Sequence, residues 1–149
     1  MKRILVVDDE KDIRKLLEET LKSKDYEILQ AGTGEDALVI SRKIRPDLIL
    51  MDIMMPGDLN GIEATRMLKA DVRTNQSKVI VLTSSSTLKK EAMDAGADAY
   101  FSKTFSPLEL LRKIDELLGG INLERGDEEV EFISRQPSPI SYIPMTGAI

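Results

Sequence analysis

Apolar residues fall along this chain in two alternating rhythms. Ile4-Leu5-Val6-Val7, Leu48-Ile49-Leu50-Met51 and Val79-Ile80-Val81-Leu82 are short continuous apolar runs, the pattern of strands buried on both faces. Tyr26 to Ala31, closed by Gly32, and Ala99 to Ser102 read as two further strands. Between them the spacing turns helical. Ile13, Leu16, Leu17 and Leu21 recur at three and four residues, and so do Ala37, Leu38, Ser41 and Ile44. Thr33, three residues before Asp36, is placed to cap the second helix, and Pro46 ends it. A third helix is expected over Ile62 to Val72, and a short fourth one ending near Gly96. Ser106, Pro107 and Glu109 form a capping box with proline at the first helical position. The last helix then carries Leu110, Leu111, Ile114, Leu117 and Leu118 on one stripe and stops at Gly119-Gly120.

Five strand-helix units with buried strands imply a parallel sheet with helices on both faces. Right-handed crossovers reduce the choice to a doubly wound α/β fold. Five strands favour the flavodoxin-like order 2-1-3-4-5 over the six-stranded alternative. The periodicity fades near residue 120. Residues 121–149 hold Pro137, Pro139, Pro144 and the acidic run Asp127-Glu128-Glu129. The expected organisation is therefore one domain over 1–120 and a flexible tail or linker over 121–149, with no effector domain.

Composition narrows the chemistry. A chain of 149 residues suits one core, and with no Trp and few aromatics that core must be Val, Ile, Leu, Met and Ala. The net charge is −5, and the basic residues are scattered. A nucleic-acid-binding module would carry a basic stripe, so direct nucleic-acid binding is not expected. Without Cys there is no disulfide, thiolate metal site or thiol nucleophile, and without His there is no imidazole base or phosphohistidine. The apolar run at the start is too short for a signal peptide or a membrane span, so a cytoplasmic protein is expected.

In doubly wound sheets functional groups gather beyond the carboxyl ends of the strands. The residues that close the apolar runs here are Asp8-Asp9, Asp52, Thr83 and Lys103. Each has an ordinary use taken alone: a helix cap for Asp9 or Thr83, a turn for Asp52, a solvated surface for Lys103. Together they place three carboxylates, a hydroxyl and an ammonium on one edge. Carboxylates so gathered raise one another's pKa unless a cation offsets them. Mg2+, which takes one or two carboxylates plus water and phosphate oxygens, fits such a site, as would Mn2+.

These residues resemble a known family. The stretches ILVVDDE, PDLILMDIMMPG with NG following, VIVLTS and AGADAYFSK, with the capped last helix, are similar to the receiver domain of bacterial two-component response regulators. The resemblance runs from Lys2 to about Leu118. It implies that Asp52 accepts a phosphoryl group as an aspartyl phosphate. It implies that Asp9 ligates the metal directly, Asp8 partly through water, and the backbone carbonyl of Met54 beside them. Thr83 matches the hydroxyl that moves toward the phosphoryl group, Ser84 the small residue beside it, and Lys103 the lysine that pairs with a phosphoryl oxygen. Tyr100 matches the aromatic that turns inward on activation. Implied partners are a sensor histidine kinase or histidine phosphotransfer protein, and a downstream protein at the face of the fourth helix, fifth strand and fifth helix. The implied protein is a switch, with at most slow self-catalysed phosphorylation and dephosphorylation.

Two departures stand out. The family's lysine-proline pair is Lys103-Thr104 here. A cis bond before a non-proline residue costs about 2.5–4 kcal/mol, so a trans bond and a rebuilt loop before Phe105 are expected. The loop Gly57-Asp58-Leu59-Asn60-Gly61 is one residue longer than usual, with Asp58 expected in solvent. Two other functions compete. A scaffold that keeps the fold but reads no phosphate would tolerate the altered Lys-Thr junction, yet has no use for the complete acidic set. A haloacid-dehalogenase-like Mg2+-dependent phosphatase wants a second Asp two residues after the nucleophile, where this chain has Met54.

Overall fold

The computed structural model describes residues 1–85 and 87–119. The chain divides into two compact units, Met1–Leu110 and Leu111–Ile149. The first unit holds β1 (Lys2–Val7), α1 (Lys11–Leu21), β2 (Tyr26–Ala31), α2 (Gly34–Ile44), β3 (Leu48–Asp52), α3 (Gly61–Ala70), β4 (Lys78–Thr83), α4 (Lys89–Asp94) and β5 (Ala99–Ser102). The division falls inside α5 (Pro107–Leu117). Among the described residues the second unit is the rest of α5, with Ile114 buried and Gly119 in the left-handed region at φ 88°. The tail expected over 121–149 lies outside the described residues.

The five strands pair in parallel in the order β2-β1-β3-β4-β5. This is the flavodoxin-like order expected from the alternation of strands and helices. Side chains alternate across a strand, so β1 sends Leu5 and Val7 to one face and Ile4 and Val6 to the other, all of them buried. Leu5, Val7, Ile49, Met51, Val79 and Val81 share one core with Ala37 and Leu38 of α2, Ala64 and Leu68 of α3, and Ala92 of α4. Strand β3 is buried along its whole length, as a central strand of a covered sheet must be.

Local signals explain the helix boundaries. The Thr33 hydroxyl accepts the Asp36 N–H at 3.0 Å, the cap its spacing predicts. Pro46 does not end α2 directly: Arg45 turns into the left-handed region first, at φ 54°, and its N–H returns to Ser41. Helix α3 starts one residue earlier than expected, because the Asn60 side chain accepts the Glu63 N–H at 2.9 Å. In α1 the stripe is narrower than the spacing suggests. Leu17 and Leu21, four residues apart, are buried, whereas Leu16 is 57% exposed because it sits about 100° around the helix from Leu17. Among the described residues no helix is long and apolar enough to cross a membrane.

Candidate functional site

Strand register brings the site together before any side chain is considered. Val7 stands opposite Met51 on neighbouring parallel strands, so Asp8 and Asp52, one residue further on, leave the sheet side by side. Across β3, Asp52 stands opposite Leu82, which puts Thr83 one step beyond it. Across β4, Thr83 stands opposite Ser102, and Lys103 follows with its N–H on the Thr83 carbonyl at 2.9 Å. The carboxyl edge of β1, β3, β4 and β5 thus delivers Asp8, Asp52, Thr83 and Lys103 to one place.

The acidic groups differ in exposure. Asp8 and Asp52 are buried, at 2% and 3% exposure, while Asp9 faces solvent. One carboxylate oxygen from each of the three lies within 4.8 Å of the others. Lys103 reaches in from the far strand: its Nζ is 2.9 Å from Asp8 Oδ2 and 3.3 Å from Asp52 Oδ1. Three negative charges therefore meet one positive charge. Burial pushes the Asp52 carboxyl up to about 6 from 3.8, and the Asp8 charge pushes the same way against the pull of Lys103. Burial alone would lower Lys103, but its hydrogen bond to Asp8 and the charges of Asp52 and Asp8 hold it above the ordinary lysine value.

This donor set fits a hard divalent cation. The side-chain ligands gathered here are three carboxylates, the chain has no imidazole or thiolate to compete, and the excess negative charge is what a cation would offset. Met54 lies in the loop two residues beyond Asp52 and is 64% exposed.

The backbone behind the acids is tightly held. A Cβ at Gly61 would stand 1.9 Å from the Asp52 carbonyl oxygen, so only glycine lets α3 begin this close behind β3. The Gly61 N–H completes the junction by donating to the Ile53 carbonyl at 2.9 Å. Asp8 Oδ1 accepts the Glu10 N–H at 2.9 Å, and Arg14 Nη1 donates to the Asp8 carbonyl at 2.6 Å. None of these supports was evident in the sequence. Asn60-Gly61 stands in the sequence as a loop pair and as part of the family motif, with no sign of the close approach to Asp52, and Arg14 sits on a helix with nothing in its spacing to single it out.

Thr83 and Tyr100 meet on one residue, Ser85. Thr83 is fully buried and its Oγ1 accepts the Ser85 N–H at 3.2 Å. The half-buried Tyr100 donates its hydroxyl to the Ser85 carbonyl. The loop after β4 is therefore gripped from both sides at Ser85. Asp58 is exposed, as expected for a solvated loop residue.

Known proteins match this chain along most of its length. The model of the response regulator receiver domain matches residues 4–115. The DNA-binding response regulator MtrA of Mycolicibacterium smegmatis is 33% identical, over 96% of this chain and 66% of its own length. The phosphate regulon transcriptional regulatory protein PhoB of Pseudomonas aeruginosa is 36% identical, over 95% of this chain and 62% of its own. The chain thus spans just under two thirds of the length of these relatives. Among solved structures, the response regulator protein TrrA of Thermotoga maritima, in complex with Mg2+–BeF, is 41% identical with a TM-score of 0.72, covering 78% of this chain and 99% of that one.

Proposed function

The chain belongs to the response regulator receiver domain family, and we propose that within it Asp52 is the phosphoryl acceptor of a two-component switch. The observation that carries this reading is the charge mismatch: Asp8, Asp9 and Asp52 around the single ammonium of Lys103. A static ion pair needs no such excess. A site that binds a cation and then a phosphoryl group does.

In this reading the donor is the phosphohistidine of a sensor kinase or a histidine phosphotransfer protein, since this chain has no His of its own. An Asp52 carboxylate oxygen attacks the phosphorus in line; the new P–O bond forms as the P–N bond to the donor imidazole breaks and the imidazole leaves. Asp8, Asp9, Asp52 and the Met54 carbonyl would hold Mg2+, which supplies charge neutralisation at the phosphoryl oxygens. Lys103 offsets further charge from the opposite side.

The phosphoryl group carries about −1.5 to −2 units of charge where the carboxylate carried −1, so the site gains about −0.5 to −1 beside Asp8. The Thr83 hydroxyl can then move from the Ser85 N–H to donate to a phosphoryl oxygen, which releases the N–H of the residue whose carbonyl Tyr100 also holds. That exchange would bias two arrangements of the loop, of α4 and of β5, the surface offered to a downstream protein. Relatives such as MtrA are described as DNA-binding; the scattered basic residues of this chain favour an output through protein contact. Beryllofluoride with Mg2+ should perturb the spectrum of the wild type and leave Asp52→Ala unchanged. Equal responses from the two would refute the assignment.

A further inference from the structure

Lys103 must hold a flexible four-carbon stem against two buried carboxylates, so the backbone that carries it matters. Strand β5 ends at Ser102, and the chain then turns: the Phe105 N–H donates to the Ser102 carbonyl at 3.1 Å. Lys103 and Thr104 are the two central residues of that turn. The residues on either side of the lysine are joined by their side chains as well. Ser102 Oγ and Thr104 Oγ1 are 2.7 Å apart, and the Thr104 N–H donates to Ser102 Oγ at 3.3 Å. A proline at position 104 could make neither contact, having no N–H and no hydroxyl.

We propose that Ser102 and Thr104 are positioning residues, whose hydroxyls close the turn around Lys103 and aim its ammonium at Asp52. The inference rests on the phosphoacceptor reading. The turn is anchored upstream by the Lys103 N–H on the Thr83 carbonyl and closed by the Phe105 N–H on the Ser102 carbonyl, and the side-chain bridge adds a second closure across Lys103 itself. The two hydroxyls do here, by hydrogen bonding, what ring closure does where proline follows a lysine: they restrict the lysine's own backbone. Neither residue touches the carboxylates, and both act through Lys103.

The test is a binding cycle on the full chain. Beryllofluoride affinity at saturating Mg2+ is measured for wild type, Thr104→Ala, Thr104→Ser, Lys103→Ala and the double variant Lys103→Ala/Thr104→Ala; Mg2+ affinity is measured separately. Thr104→Ala should weaken beryllofluoride about three- to tenfold, the effect of one lost hydrogen bond. Thr104→Ser, which keeps the hydroxyl, should stay within about twofold of wild type by the same scale. Mg2+ affinity should hold, because the carboxylates that bind it are untouched. In the Lys103→Ala background, Thr104→Ala should cost nothing more. Unchanged beryllofluoride affinity in Thr104→Ala, or an equal loss with and without Lys103, overturns the positioning role alone. A wild type that binds no beryllofluoride overturns the phosphoacceptor reading and this inference with it.

Discussion

Two lysines of this protein enter partly buried acidic surroundings, one at each end of β5, and they are built differently. At the amino end, Lys69 Nζ meets Asp98 Oδ2 at 2.9 Å and donates to the Ser77 carbonyl at 2.8 Å, while the same Asp98 oxygen accepts the Val79 N–H at 2.8 Å. One positive charge meets one negative charge, and the backbone takes up further hydrogen-bonding capacity. At the carboxyl end, Lys103 faces Asp8 and Asp52 with Asp9 close by. The first cluster is balanced and ties α3 to the start of β4 and the segment before β5. The second carries surplus negative charge, with two of its three carboxylates, Asp8 and Asp52, buried. The balanced cluster is what a structural tie requires, and the unbalanced one is where the proposed function places a cation and a phosphoryl group.

The sharpest way to break the comparison is to neutralise one acid in each cluster and read stability without metal. Asp98→Ala strands the Lys69 ammonium and the Val79 N–H, and should cost about 2–3 kcal/mol in chemical denaturation. Asp52→Asn should act in the opposite direction and raise metal-free stability by about 1–2 kcal/mol at pH 8, since it removes a charge that burial disfavours. Two destabilised variants would erase the distinction.

Titration sharpens the same contrast. With its carboxyl pushed up from 3.8 to about 6, Asp52 binds its proton more tightly in the folded protein than in the unfolded chain. Its contribution to metal-free stability is therefore greatest below pH 3.8 and declines as the pH rises through about 6. Asp52→Asn should lack that component of the pH dependence, and denaturation midpoints between pH 4 and 8 test it. Mg2+ binding should weaken below about pH 6, approaching tenfold per unit as the proton competes for Asp52. A wild-type Mg2+ affinity that stays flat down to pH 5 would contradict this.

The smallest effect expected is that of the Ser102–Thr104 bridge, a few-fold change in beryllofluoride binding and none in Mg2+ binding.

Much of this was legible in the sequence. Continuous apolar runs located β1, β3 and β4 to within two residues, because strands buried on both faces leave no room for polar positions. The acids, Thr83 and Lys103 were readable because a doubly wound sheet sends every strand end to one edge, and register then aligns them. Features that depend on three-dimensional approach were not. The Gly61 contact with the Asp52 carbonyl, Arg14 on the Asp8 carbonyl and the shared grip of Thr83 and Tyr100 on Ser85 join residues whose spacing carries no periodic signal. Leu16 failed for a related reason: helical spacing shows that a stripe exists, but the partner surface decides how wide it is. The altered Lys103-Thr104 junction is visible in the sequence as a departure, while the hydroxyl bridge around it depends on how the turn folds.

The central claim, that Asp52 is the acceptor in an unbalanced acidic site, is tested most directly by acetyl phosphate labelling with the modified residue mapped by mass spectrometry. With Mg2+ present the wild type should carry one phosphoryl group, on Asp52; chelation of the metal should suppress it, and Asp52→Ala should abolish it. A wild type that stays unlabelled, or a label of equal extent that survives in Asp52→Ala, would contradict the account.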